Sequence, residues 1–350
     1  MLKTFRIGDR EIGPGNPCLV IAEAGVNHNG SLDLAMQLVD VAAEAGADAI
    51  KFQTFQAEKL VTADARQAEY QSRNIGKVET QAQMLKRLEL PRDAYRRIMA
   101  HCRDRGIRFL STPFDQESAD FLDGEGMEVI KIPSGEVTNL PLVQHLATKR
   151  RPILLSTGMC NLSDVDACVA TLEQAGVRDL AILHCVSNYP ADPADTNLRA
   201  MRTMETAFGY PVGYSDHTLG NEVSFAAVAL GACVIEKHFT LDRNLPGPDH
   251  KASAEPGELK QLVDGIRTIE SALGNGRKVP ALSESNTAAV ARRSLVAARP
   301  IPAGRVIERE DLTTLRPGTG LPPNMILQIV GMTARQEIPS GTLLSLRMVS

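Results

Sequence analysis

Short apolar runs alternate along the chain with longer stretches in which apolar residues return every three or four positions. The runs are Cys18–Gly25, Asp48–Phe55, Ile107–Phe114, Glu128–Gly135, Pro152–Gly158, Leu180–Ser187, Pro211–Thr218 and Cys233–Thr240. Each is brief, nearly continuous in apolar residues and closed by polar residues or glycine, the pattern of a strand covered on both faces. The stretches between them read as helices. In Ser31–Ala45, Ser31 offers an N-cap, Leu34, Leu38 and Val41 recur at helical spacing, and Gly46 supplies a stop. Strand-then-helix units repeated in this way over about 270 residues predict an α/β fold, a (β/α)8 TIM barrel, for which roughly 250 residues is typical. An open doubly wound sheet is the rival. It fits less well, because nearly every run ends in polar residues, whereas an open sheet concentrates its site at one switch point.

The pattern changes after the last barrel helix, near Pro256–Leu273. Residues 274–286 (G-N-G-R-K-V-P-A-L-S-E-S-N) read as a linker, and residues 287–350 are broken by Pro and Gly every few positions. The expected organisation is therefore a barrel over 1–273, the linker, and a small β-rich module over 287–350. Within the barrel, the connection from Phe55 to a helix near Gln81 is long, polar and without strong periodicity. An excursion of that length at a barrel's mouth is either a substrate-facing lid or a solvated loop.

Composition narrows the class. A chain of 350 residues that is 43% hydrophobic can bury a large core, and a net charge of −4 with pI near 6.0 argues against a nucleic-acid partner. The balance is uneven: from Asn286 onward there are eight Arg against four acids, a net +4 that leaves −8 for the remainder. Six Cys lie far apart with no C-x-x-C pair, and no apolar leader opens the chain, so a reduced, cytoplasmic protein is expected. No apolar run approaches the ~20 residues of a membrane span.

The candidate chemistry sits at the ends of the predicted strands. Lys51 and Lys131 lie inside otherwise apolar runs, A-I-K-F-Q and V-I-K-I-P. A buried ammonium is costly unless it is paired. With Ser134, Ser156 and the amides of Gly135 and Gly158 nearby, the simplest partner is an anionic ligand bearing a phosphate and a carboxylate. Thr112, Ser187, Tyr189, Gln53 and Glu136 occupy equivalent strand ends, and Glu23, closing the first run, can handle a proton. The loop G-V-N-H-N-G-S after it reads as a tight turn or a binding element, with His28 a loop residue, and His101, His145 and His184 read as structural. The stretch Val212–Ser253 reads as strand, helix, strand, with His217 and His238 near the carboxyl ends and a same-face partner two residues earlier, Ser215 and Glu236. One such histidine is more often a core residue. Two at equivalent points of adjacent strands can share a divalent ion. They are too few for a closed zinc site and suit an open catalytic ion, Mn²⁺ or Mg²⁺, with Co²⁺ or Zn²⁺ able to substitute. Arg316, between an apolar run and a Pro-Gly turn, can reach a site elsewhere.

Taken together, the motifs I-A-E-A-G-V-N-H-N-G-S at Ile21, I-K-F-Q-T-F at Ile50, S-T-P-F-D at Ser111, K-I-P-S-G-E at Lys131, L-S-T-G-M at Leu155, G-Y-S-D-H-T at Gly213 and E-K-H-F-T-L-D at Glu236 resemble the sialic acid synthase family. The tail resembles the antifreeze-like (SAF) domain of those enzymes. The resemblance implies a transferase that condenses phosphoenolpyruvate with an N-acylated mannosamine-type sugar and water, releasing phosphate by C–O cleavage. It implies metal ligands His217 and His238. Phosphoenolpyruvate would lie on Lys51, Lys131, Ser134, Ser156, Ser187 and Ser215, and the sugar would face Glu23, Gln53, Glu136, Tyr189 and Asp249. Ser187 can be Asn in relatives. The resemblance further implies a domain-swapped homodimer in which Arg316 serves the partner's barrel. The loop P-G-P-D-H-K-A-S resembles branches making N-acetylneuraminate, the first expectation, or legionaminate, its alternative, rather than pseudaminate. A 6-phosphorylated sugar is disfavoured by the lack of a second basic cluster. Two other classes compete: a metal-dependent aldolase or related phosphoenolpyruvate-condensing synthase on the same barrel, and a non-enzymatic carbohydrate-binding scaffold.

Overall fold

The computed structural model describes residues 4–350, which divide into two compact units, one ending at Gly274 and the other spanning Asn275–Ser350. The first begins with an antiparallel hairpin, β1 (Phe5–Ile7) and β2 (Arg10–Ile12). Eight parallel strands follow: β3 (Leu19–Gly25), β4 (Ala49–Thr54), β5 (Arg108–Pro113), β6 (Ile130–Ile132), β7 (Ile153–Ser156), β8 (Leu180–Cys185), β9 (Val212–Asp216) and β10 (Val234–His238). Their order, β5-β4-β3-β10-β9-β8-β7-β6, makes a nearly closed TIM-like barrel. At the one seam, β5 and β6 lie side by side without a ladder between them. The strands are shorter than the apolar runs. Glu128–Gly135 yields only Ile130–Ile132, because Pro133 has no amide to donate and Ser134–Glu136 coils into a 3-10 turn.

Alternation along the strands sorts the side chains. Leu19, Ile21, Ala49, Leu110, Val129, Leu154, Leu183 and Val234 point into the barrel and pack with Phe5, Ile7 and Ile12, so the hairpin plugs its amino-terminal end. Val20, Ala22, Ile50, Phe52, Ile130, Ile132, Leu155 and Ile235 face the surrounding helices. With the bottom filled by hydrocarbon, the same period two carries each strand to a polar residue at its carboxyl end: Ile21 to Glu23, Ala49 to Lys51, Leu110 to Thr112, Val129 to Lys131, Leu154 to Ser156, Val234 to Glu236. The helix Leu32–Ala45 begins where Ser31 Oγ accepts the Leu34 amide and ends at Gly46, whose φ of +80° lets its amide close on Ala42 and Ala43.

The connection after Phe55 differs from its aperiodic reading. It contains two short helices, Ala57–Leu60 and Glu69–Ile75, pinned by a bridge between Arg66 and Thr80. Helices of one or two turns are too short to display a 3.6-residue pattern. In the second unit, residues read as linker carry a 3-10 turn, Leu282–Glu284, that leads into the helix Ser285–Ala291. Two strands, β11 (Ser294–Ala297) and β12 (Leu312–Leu315), pair antiparallel around a core of Leu295, Ile301, Ile307, Ile329, Ile338 and Leu344. Among the described residues no helix is long and apolar enough to cross a membrane.

The plug and the cap differ in weight. Ile12 is fully buried, so Ile12→Ala is expected to cost about 2–5 kcal/mol. Ser31→Ala, which removes one cap bond, should cost about 1 kcal/mol. Urea-unfolding midpoints check both the sizes and their order.

Candidate active site

The barrel's carboxyl end holds a cavity of about 420 Å³ whose floor is a layer of buried charge. Lys51 and Lys131 are 3% and 2% exposed. Lys51 Nζ lies 2.7 Å from Glu23 Oε2 and donates to Thr112 Oγ1 at 3.0 Å. Lys131 Nζ donates to Ser156 Oγ at 2.5 Å. Both ammoniums stand 3.7 Å from the same atom, Glu236 Oε1, which also accepts from Ser215 Oγ at 3.1 Å. Burial pushes Glu23 up to about 7 despite the pull of Lys51, while Lys131 and Lys51 overcome burial and hold Glu236 below its ordinary value. The two lysines therefore share one carboxylate held in its charged form and one that burial makes reluctant to ionise. The layer is short of negative charge, and burial drives Lys131 down where Glu23 and Glu236 hold Lys51 up. An anion entering the cavity supplies what the floor lacks.

Beside Lys131 a small nest opens. Ser134 Oγ accepts the Gly158 amide at 2.9 Å, and a Cβ on Gly158 would lie 2.2 Å from Ser187 Oγ, so only glycine leaves this space free. Above the floor stand the histidines. His217 donates Nδ1–H to the Val186 carbonyl at 2.7 Å, which leaves Nε2 as the nitrogen that can offer a lone pair once the ring is neutral. His238 is held neutral by burial and by His217 beside it, and its Nδ1 has no partner. The ring centroids are 5.5 Å apart. Cys185 and the Val186 carbonyl hold His217 above its ordinary value despite burial, so an incoming cation must displace its proton; two buried imidazoles, one with its tautomer set by a carbonyl, then fit a divalent ion that takes its remaining ligands from water or substrate. No cluster of three or more His, Cys, Asp or Glu suited to a metal occurs among the described residues, so a closed protein site is absent there.

Most residues singled out in the sequence meet here. Glu23, Lys51, Gln53, Thr112, Lys131, Ser134, Ser156, Ser187, Tyr189, Ser215, His217, Glu236 and His238 all line the one cavity. Three do not. Glu136 is half-buried in the 3-10 turn, where it accepts from Asn139. Asp249 is buried in the loop after β10, its carboxyl pushed up to about 6 by burial and its carbonyl bonded by Ser253 Oγ. Arg316 follows β12 in the second unit and is exposed. The remaining histidines have structural partners: His101 bonds Asp40, His145 bonds Asp120, and His184 bonds the Thr196 carbonyl. His28 is fully buried, accepting the Gly30 amide.

The structure adds residues that the sequence reading left out. The helix Glu69–Ile75 brings Tyr70 and Gln71 into the cavity wall, and Asn74 ties it to the Pro248 carbonyl at 2.7 Å. Tyr70 stacks on Tyr189 at 5.1 Å, and Tyr189 lies 4.1 Å from the His217 ring. An isolated tyrosine in an otherwise polar stretch was the available signal. Cys185 also lines the floor, 3.7 Å from His217 Nδ1, which pulls its thiol down to about 7 against the effect of burial.

A TIM barrel whose carboxyl end closes over a buried, anion-seeking charge layer defines an enzyme of the barrel class. Comparison makes this specific. Residues 38–278 match the NeuB family and residues 292–350 the SAF domain. The chain is 48% identical over 341 residues, 96% of each chain, to the N,N'-diacetyllegionaminic acid synthase of Legionella pneumophila. It is 45% identical over 328 residues, covering 93% of this chain and 98% of the other, to the enzyme of that name from Campylobacter jejuni. The crystal structure of N-acetylneuraminic acid synthetase from Leptospira borgpetersenii in complex with citrate superposes with a TM-score of 0.73 at 35% identity, covering 82% of this chain and 95% of that one. The chain belongs to the NeuB family of sialic acid and legionaminic acid synthases and carries its C-terminal SAF domain.

The raised carboxyl of Glu23 has a consequence for stability. Its ordinary value is 4.5 and its value in the fold is about 7. Across that window the folded protein keeps a proton that the unfolded chain has lost, so this group's contribution to stability falls as pH rises, by at most about 1.4 kcal/mol per pH unit. Glu23→Gln should flatten the decline between pH 4.5 and 7 in the ligand-free protein, measured as urea midpoints against pH. Parallel curves for the two proteins would contradict the assignment.

Proposed function

We propose that this enzyme condenses phosphoenolpyruvate with a 2,4-diacetamido-trideoxyhexose and water to give N,N'-diacetyllegionaminic acid and phosphate. The observation that carries the choice of sugar is the 48% and 45% identity, over nearly the whole chain, to two enzymes of that name. It favours legionaminate over N-acetylneuraminate, the first expectation from sequence, which stands as the second reading through the solved relative from Leptospira borgpetersenii. Lys51 and Lys131 are the only Lys or Arg among the residues lining the cavity, and both face the floor, which supports an unphosphorylated sugar.

In this reading Lys131, Ser156 and Ser134 receive the phosphate, and Lys51 receives the carboxylate of phosphoenolpyruvate. The anion satisfies the charge deficit of the floor, so binding energy orients the enol toward the mouth. A divalent ion, Mn²⁺ first, would sit on Nε2 of His217 and on His238 and would supply Lewis-acid polarisation of the sugar aldehyde. C3 of the enol attacks the aldehyde carbon, the aldehyde oxygen takes the proton of Glu23 as the new C–C bond forms, and positive character develops at C2. Glu23, with a value near 7, takes the proton of the water that adds to C2. The tetrahedral centre then expels phosphate with cleavage of the C–O bond. Tyr70 and Tyr189 wall the sugar and exclude bulk water.

Phosphate release from phosphoenolpyruvate in the presence of Mn²⁺, assayed with a panel of amino sugars, tests the reading. The diacetamido sugar should give the highest kcat/KM, and preference for N-acetylmannosamine would replace it with the second reading. Run with bridging ¹⁸O, the label should leave in phosphate; its retention in the sugar acid would refute C–O cleavage. Arg316 is proposed to serve a partner's barrel in a swapped homodimer. Arg316→Ala and Lys51→Ala chains, each nearly inactive alone, should then recover activity when mixed. No recovery after confirmed subunit exchange would rule the swap out.

A further inference from the structure

The β9–β10 ladder pairs Ile235 with Tyr214, Glu236 with Ser215 and Lys237 with Asp216, and then stops. His217 lies one residue beyond the end of β9, so the ladder does not hold its backbone. Its own carbonyl accepts the Ala191 amide at 2.8 Å, and the residues that flank it are held by a buried polar cluster on the helix-facing side of the two strands. Asp216 Oδ1 accepts from the Thr218 amide at 2.8 Å and from Thr218 Oγ1 at 2.7 Å. Asp216 Oδ2 accepts from Ser224 Oγ at 2.6 Å, which anchors it to the helix Glu222–Ala229. Lys237 Nζ donates to Asp216 Oδ2 and to the Thr218 carbonyl, both at 2.8 Å. The residues on either side of His217 are thus both fixed, and the side chain that closes the cluster belongs to the residue immediately before His238. Asp216, Thr218, Ser224 and Lys237 are each at most 3% exposed.

We infer that Asp216 and Lys237 are a positioning pair that sets the spacing and aim of the His217 and His238 imidazoles for a shared divalent cation. Neither side chain reaches the cavity, since period two sends both away from it. The inference rests on the reading that the two histidines hold a metal. It deepens that reading by assigning the ligand geometry to residues on the opposite face of the sheet. Covalent linkage through one peptide bond on each strand, with hydrogen bonds across, couples the two imidazoles through the opposite face of the sheet, beside the β3 pairing of His238 with Glu23.

Coulomb's law alone predicts the opposite outcome. Lys237 is a cation adjacent to His238, and removing it while leaving Asp216 would make the surroundings more negative, which favours a bound cation. The sign of the effect therefore separates positioning from electrostatics. Mn²⁺ binding to the full-length, ligand-free protein, followed by EPR and calorimetry, is the measurement. Lys237→Met is expected to weaken binding about 10- to 100-fold. The nitrogen couplings of two imidazoles in the pulsed EPR spectrum should fall to one. Lys237→Arg, whose guanidinium can still bridge Asp216 and the Thr218 carbonyl, should keep most of the affinity. Unchanged or tighter binding by folded Lys237→Met overturns the inference. If that variant does not fold, the double variant Asp216→Asn, Lys237→Met decides, since it leaves the local net charge unchanged while removing the bridge: weaker binding supports positioning, and unchanged or tighter binding overturns it. A wild-type protein that binds no Mn²⁺, or a His217→Ala variant that binds it as well as wild type, overturns the metal reading and this inference with it. Mn²⁺ binding that needs His217 but not Lys237 overturns only the positioning role.

Discussion

Two ammonium groups buried at the top of a hydrocarbon-filled barrel are the constraint on which the rest of the site depends. Taking such a group out of water costs several kcal/mol unless partners compensate it. Here Lys51 and Lys131 share Glu236, and Lys51 has Glu23 as well, but Lys131 has a hydroxyl as its nearest partner. Compensation is incomplete by design of the layer: more carboxylate would quench it, and none would leave it unstable. The barrel tolerates this because the hairpin plug and the inward Leu, Ile and Val residues beneath supply a dry, rigid base.

The same arrangement explains why Glu23 and Glu236 differ although both are buried carboxylates in one layer. Glu236 lies between both lysines and accepts from Ser215, so the charged form wins. Glu23 has one lysine close by and a second carboxylate opposing it, so burial wins. One carboxylate is a fixed charge and the other a proton carrier near neutrality, from the same residue type a few ångströms apart. Environments that push like groups to different protonation states recur where acid–base chemistry is done.

The opposite face of the sheet carries its own order. Most strand residues there are aliphatic and meet helices through hydrocarbon, yet Asp216 and Lys237 place an ion pair among them. A salt bridge so deeply buried is weak evidence of stability, since a well-packed apolar pair can match it. Its value lies in direction: hydrogen bonds restrain the backbone where packing alone leaves rotation and slippage open.

The barrel itself was legible from sequence because its signal is local. Apolar runs punctuated by capped helices follow from the period of each element and from burial on both sheet faces, and Ser31 and Gly46 bound their helix as read. The lysines were legible for a related reason: a charge inside an apolar run is anomalous wherever the run ends up. Three kinds of feature were beyond the sequence. Helices as short as Glu69–Ile75 bury too few residues to leave a pattern, so a lone Tyr70 in a polar stretch gained a role only when folding stacked it on Tyr189. Asp216 and Lys237 read as polar strand residues, and their pairing depends on the register of β9 against β10, which lies between strands rather than in either. The split between Glu23 and Glu236 likewise depends on distances to Lys51 and Lys131 across several strands. Local periodicity determined which elements form and which residues reach the barrel's mouth. Protonation, pairing and aim were decided by tertiary structure, because each is set by charges and hydrogen bonds between residues far apart in the chain.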